Sequence, residues 1–348
     1  MSTRRCAVTA IGYSLGLAAS VLAVSGIVAL GGTMAVTGET LPSKAAQPNA
    51  LSPLPPPASL NAGKVLLGER LFHDPVLSGE GRLSCSTCHN LKTGGTVRVP
   101  RTIGYKGKVH AFNAPTIFNV GTNYRLGWRG RFTSLSVQNE AVLDDPNLMA
   151  ADWSTVLSRL TQDETYLSAF RQRYGALPSR ENVLDALVTF QMSLATPNAP
   201  FDRFLNGDQA ALGPAARHGL KLFMDYGCVS CHQGANVGGN MFQIFGVFGP
   251  PDAEVLQTRS DLDKRLSVPD GDADVFRVPS LRNVEVTAPY FHDGSVATLG
   301  EAIAVMGRSQ LGRQLSHNDI ADLQAFLKSL TGEYDGKRLT TVVTEPAR

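Results

Sequence analysis

Cysteine is scarce in this chain, and almost none of it is spare. Of five cysteines in 348 residues, four fall in two short runs and Cys6 stands alone. One leftover thiol cannot close an intrachain disulfide, which excludes a disulfide-stapled secreted scaffold. Charge is sparse and balanced, with 18% charged residues and a net charge of +2, so nothing calls for a nucleic-acid partner. Alternating stretches of strand type are almost missing, which argues against a sandwich or barrel. What remains is an ordinary apolar content and enough length for two domains.

The two cysteine runs are Cys85-Ser86-Thr87-Cys88-His89 and Cys228-Val229-Ser230-Cys231-His232. Each is a C-x-x-C-H motif, the pattern of covalent c-type haem attachment. The two thiols add across the porphyrin vinyl groups, and the adjacent imidazole ligates the iron. Zinc or a thioredoxin-like redox pair is the alternative. A zinc ribbon would want its pairs close together; these lie far apart, and each carries the extra histidine. Two haem c groups are therefore expected, on Cys85, Cys88 and His89 and on Cys228, Cys231 and His232.

Arg4 and Arg5 precede an apolar run from about Cys6 to Val36, so 1–40 reads as an export signal or a membrane anchor. Either sends the rest of the chain out of the cytoplasm, to the periplasm. A Pro-rich stretch follows and makes 41–60 an extended tether. Helix signals then dominate. Asn61 caps a helix with Val65, Leu66 and Phe72. Asp152 caps one with Val156 and Leu160, and another runs from Glu164 to Tyr174 until Gly175. Ser179 caps one with Val183, Leu184 and Leu187. Pro214 starts a helix leading to Cys228, Thr298 and Glu301 form a capping box, and Ser316 caps a last helix closed by Gly332. Gly94 to Pro115 reads as a long ordered loop, and Pro200 to Gly213 as a domain connection. The expected fold is mainly α, two cytochrome c-like haem domains with long ordered loops: 61–200, 201–335, and a tail 336–348.

Several longer stretches carry a resemblance. They are Leu71-Phe72-His73-Asp74-Pro75-Val76-Leu77-Ser78, Asn113-Ala114-Pro115-Thr116-Ile117-Phe118-Asn119, Gly130-Arg131, Thr196-Pro197-Asn198, Val278-Pro279-Ser280-Leu281-Arg282-Asn283-Val284 and Pro289-Tyr290-Phe291-His292-Asp293-Gly294. With the haem motifs they resemble the bacterial dihaem cytochrome c peroxidase family, which includes MauG-type enzymes. The resemblance implies that the haem on His89 reacts with peroxide and that the haem on His232, with Met306 as distal ligand, transfers electrons. It implies a catalytic Trp128 between the haems, a catalytic Gln138 over the first, and a calcium ion near Asn113, Thr287 and Pro289. His292 is expected to be structural.

One region departs from the family pattern. The removable distal histidine of many members falls at Tyr105, with His110 as a substitute five residues on. The distal glutamate falls at Leu148, and Glu140, Asp144 and Asp145 are out of register. A leucine cannot move a proton, so peroxide turnover is either slower than the family norm or served by a replacement acid. The implied partners are hydrogen peroxide and a small cytochrome c or cupredoxin donor, in a possible homodimer. Two competing functions are a MauG-like oxidase of Trp or Tyr on a partner protein and a non-enzymatic electron carrier.

Overall fold

The computed structural model describes residues 50–249 and 275–341. The expected export segment 1–40 with Cys6, the first part of the tether (41–49) and the end of the tail lie outside the described residues. Helix starts follow the polar caps. Asn61 accepts the Lys64 amide ahead of α1 (Ala62–His73). The first haem motif forms the single turn α2 (Cys85–Cys88), followed by α3 (Leu135–Asp144). Asp152 caps α4 (Trp153–Gln162), Asp163 caps α5 (Glu164–Tyr174) and Ser179 caps α6 (Arg180–Ser193). Then come α7 (Pro200–Leu205), α8 (Pro214–Asp225), α9 (Leu299–Leu311, capped by Thr298) and α10 (His317–Lys328, capped by Ser316). Each cap satisfies an amide that the helix leaves open, worth about 1 kcal/mol. The strands are short: β1 (Phe242–Ile244) pairs antiparallel with β2 (Val275–Arg277), Gln243 opposite Phe276, and β3 (Glu333–Tyr334) pairs with β4 (Lys337–Arg338).

Among the described residues two large hydrophobic cores form, beside two small clusters. Leu71, Phe72, Leu160, Phe170, Val183 and Phe190 centre the first, from α1, α4, α5 and α6. Phe201, Phe223, Ile303, Leu323 and Phe326 centre the second, from α7 to α10. Leu339, beyond β4, packs into the first core.

Three expectations change. Pro200 to Gly213 is not a plain connection, because Phe201 and Asp202 are buried on α7. The last helix stops at Lys328, well before Gly332, and Leu330 is fully buried outside it. The middle of the tether is also pinned: Leu51 joins the second core, and the Leu54 amide donates to Asp202 Oδ1 at 3.1 Å. That carboxylate pairs with Arg282 Nη2 at 2.7 Å, with the two side chains 7% and 1% exposed. An apolar residue and a buried charge pair hold a stretch that its prolines alone would leave extended.

The chain also repeats a local path. Asn119 and Asn283 both adopt the left-handed conformation, φ 56° and 60°, and each starts a 3-10 turn, Val120–Thr122 and Val284–Val286. Both side-chain amides donate to the same Thr196 hydroxyl, at 2.8 and 3.0 Å. Bridges Leu126 to Phe132 and Tyr290 to Val296 follow. Gly130 and Gly294 turn the chain inside them at φ 61° and 65°. Ser134 then caps α3 as Thr298 caps α9. Each residue of the first copy precedes its counterpart by the same number of positions.

Candidate active site

The first haem motif opens onto a cavity of about 630 Å³. Cys85, Cys88 and His89 line it together with Gln138 and Val142 of α3, Leu148, Met149, His110 and Phe112. His89 Nδ1 lies 3.2 Å from the Gly95 carbonyl. A ring nitrogen facing a carbonyl carries the proton, which leaves the lone pair on Nε2, the arrangement of a metal-binding imidazole. His89 is half-buried and lines the cavity, and burial holds its pKa below the usual value.

The second motif repeats this arrangement in a cavity of about 480 Å³. His232 Nδ1 lies 3.3 Å from the Val237 carbonyl, and burial pushes the ring down to about 4. Gly238, at φ +132°, lets the chain pass close: a Cβ there would sit 2.1 Å from the Pro279 oxygen and 3.2 Å from His232 Nδ1. Cys228, Cys231, Met306, Thr287, Pro289 and His292 share the lining.

Both cysteine pairs are unbridged. Burial pushes Cys85 up to about 12 and Cys228 up to about 11, the reverse of the lowered thiol a thioredoxin-like pair needs. Among the described residues no three His, Cys, Asp or Glu side chains converge as a metal cluster, so neither pair builds a zinc site. Haem fits better. Each cavity has a cofactor's size and sets two thiols and a neutral imidazole on one wall. Arg277, only 5% exposed, lines both cavities, and among the described residues its Nη1 has no hydrogen-bond partner. Burial pulls its guanidinium down to about 10. An unpaired buried cation costs several kcal/mol, and a group bearing carboxylates, as haem does, would supply the missing charge.

Trp128 also lines both cavities, its Nε1 donating to the Asn113 carbonyl at 2.9 Å. The His292 ring meets it edge-on at 6.4 Å and stacks on Phe276 at 4.2 Å, in an aromatic cluster. The Asn113 side chain donates to the Val99 carbonyl at 2.9 Å. Asn113, Thr287 and Pro289 all line the second cavity.

The loop after the first motif contains a small hairpin with real alternation. The His110 amide donates to Thr102 O at 2.8 Å, and the Gly104 amide to Lys108 O at 2.8 Å. Thr102, Gly104, His110 and Phe112 face the cavity, while Ile103 and Val109 are 54% and 61% exposed. Tyr105 sits at the tip and is not among the lining residues; its hydroxyl bonds Glu80, the main cause of that carboxyl's lowered pKa. The hairpin presses on the turn that carries Leu148. The Tyr105 amide donates to Leu148 O at 2.9 Å, and a Cβ on Gly104 would fall 2.1 Å from Asn147 O. His110 Nδ1 accepts the Phe112 amide at 3.2 Å, which in the neutral ring puts the proton on Nε2.

The nearby carboxylates are engaged elsewhere. Glu140 pairs with Arg180, Asp144 accepts the Trp153 indole at 2.9 Å, and Asp145 caps the Asn147 amide at 2.7 Å.

A sequence profile of di-haem cytochrome c peroxidases matches residues 62–210. The cytochrome c551 peroxidase of Pseudomonas aeruginosa is 40% identical over 270 residues, which cover 77% of this chain and 78% of that protein. This chain belongs to the di-haem cytochrome c peroxidase family. The cytochrome c551 peroxidase of Nitrosomonas europaea is 37% identical over 315 residues, 90% of each chain. A solved MauG-like protein associated with microbial copper homeostasis superposes with a TM-score of 0.70 at 28% identity, covering 84% of this chain and 96% of its own.

As a di-haem peroxidase the protein is an oxidoreductase with two haem c groups. Among its described residues no helix is long and apolar enough to cross a membrane. Sequence reasoning missed several residues of the peroxidase's first cavity, Arg277, Val142 and Met149 among them. Val142 lies on α3, a helix whose Ser134 cap is not followed by a continuous apolar stripe. Met149 is 6% exposed and belongs to the first core, a placement that only the folded turn after α3 reveals.

Proposed function

We propose that hydrogen peroxide reacts in the His89 cavity and that electrons enter through the His232–Met306 cavity. Haem bound in both supplies the iron on which the peroxide O–O bond is broken and the redox couple that passes electrons. Each turnover takes one peroxide, two protons and two electrons to two waters, the electrons coming from a small cytochrome c or cupredoxin. The observation that carries this assignment is the unequal lining of the two cavities. The second includes the Met306 thioether in the same lining as a neutral imidazole, a pair that would suit electron transfer at a bound haem. The first offers Gln138, His110 and Leu148, with Tyr105 turned to Glu80.

Gln138 orients peroxide through its amide, and His110 takes the place of the carboxylate that Leu148 lacks. With its proton on Nε2, His110 is a hydrogen-bond donor rather than an iron ligand. Trp128 passes electrons between the cavities. Asn113, Thr287 and Pro289 hold a calcium ion through carbonyl and side-chain oxygens, donors suited to a hard cation. Export to the periplasm rests on the covalent haem chemistry and on the apolar run after Arg5. The departures at Tyr105 and Leu148 also support a second reading, in which peroxide oxidises Trp or Tyr of a partner protein.

The test is steady-state peroxide consumption with reduced cytochrome c as donor. The native protein should turn over rapidly. Trp128→Phe should slow it about tenfold, ~1.4 kcal/mol of barrier, with both haems attached. No consumption with any small donor would overturn the peroxidase reading, and an unchanged rate in Trp128→Phe would remove the relay.

A further inference from the structure

The repeated path makes the two distal helices comparable residue by residue. Asn119 corresponds to Asn283, Leu126 to Tyr290, Phe132 to Val296 and Leu135 to Leu299, without insertion or deletion, and each pair shares its conformation. The repeat reaches the proximal side too: Pro115 and Pro279, in the same register, both turn their carbonyls to the motif histidine of their own cavity. Continued along the helices, this register pairs Val142 of α3 with Met306 of α9. Both side chains are partly buried, and both line the cavity that their own helix covers. One turn earlier the pairing is Gln138 with Ala302. The same helix therefore covers both cavities, and it carries a thioether over one and a branched hydrocarbon over the other.

We propose that Val142 determines the open, peroxide-reactive character of the first site, because it occupies the position from which the second site takes its sulfur ligand. The inference rests on the assignment of Met306 and of peroxide given above and supplies its cause. Valine has no lone pair to offer a metal, and its branched, stiff side chain fills the wall without reaching across. It leaves Gln138, one turn away, as a polar group of that helix at the substrate cavity. Methionine is unbranched and polarizable, with the flexibility to reach an iron from the same backbone position.

The experiment is Val142→Met, read by electron paramagnetic resonance and optical spectra of the fully oxidised holoprotein and by titration with fluoride. In the native protein one iron should be high-spin and bind fluoride. In Val142→Met that signal should convert to low-spin with thioether character, and fluoride binding should be lost. A high-spin, fluoride-binding Val142→Met protein with both haems attached would overturn the inference alone. If the native protein already has two low-spin irons, the open-site assignment fails with it. The reciprocal Met306→Val covers the case in which Val142→Met does not fold. It should give a second high-spin, fluoride-binding iron, and a low-spin second iron there would contradict the equivalence.

Discussion

Replacing His89 with glycine should lower peroxide turnover about 10³-fold or more, a large share of what an enzyme of this kind supplies, while two haems remain attached. The thioether sites Cys85, Cys88, Cys228 and Cys231 are untouched, so loss of cofactor would not explain the loss of rate. What disappears is a neutral imidazole whose Nδ1 is tied to the Gly95 carbonyl at 3.2 Å, which fixes both its tautomer and its aim. Pyridine haemochrome content and steady-state peroxide consumption on the same sample check the result. A variant with two haems and a native rate would move the peroxide site away from His89.

The second large effect concerns stability. Asp202→Ala should cost about 3–5 kcal/mol, the usual penalty for breaking a buried pair from one side. For a folded unit of this size that lowers Tm by roughly 6–20 °C. Arg282, with its side chain 1% exposed, would lose its partner at 2.7 Å, and the Leu54 amide would lose its acceptor at 3.1 Å. Burial pulls the Arg282 guanidinium down and Asp202 pulls it back up, so the carboxylate keeps that charge tolerable. Replacing both partners with apolar residues, Asp202→Leu with Arg282→Met, should recover much of the loss. Thermal unfolding at equal haem content measures both. A Tm within a degree or two of native for Asp202→Ala would show that the pair contributes little.

How much was legible in the sequence depended on whether the signal was local. The caps Asn61, Asp152, Ser179, Thr298 and Ser316 sit within a turn of the amides they satisfy, and the helices begin where these residues put them. The haem motifs carry their chemistry in five consecutive residues. By contrast α3 buries only Leu135 and Leu143 outright, so it shows no continuous apolar stripe, although it brings Gln138 and Val142 to the first cavity. Its helical state follows from the Ser134 cap and from the wall it builds. The hairpin around Tyr105 was hidden because its arms are short and its tip passes through Lys106 at φ 53°. Which of Tyr105 and His110 faced the cavity was a matter of strand parity, and that appeared only once Ile103 and Val109 were seen to pair. The last helix ended early for a tertiary reason: the Gly332 amide donates to the Asn283 side chain at 3.0 Å, and Leu330 is drawn into the core.

The central claim is that the two cavities differ in the groups that line them beside the motif histidine, so that peroxide has access to one iron and not the other. Electron paramagnetic resonance of the fully oxidised native protein tests this most directly. The account predicts one lasting high-spin ferric signal beside one low-spin signal, with the high-spin signal unchanged in His110→Phe. Two low-spin signals, as ligation of the first iron by Met149 or His110 would give, would contradict it.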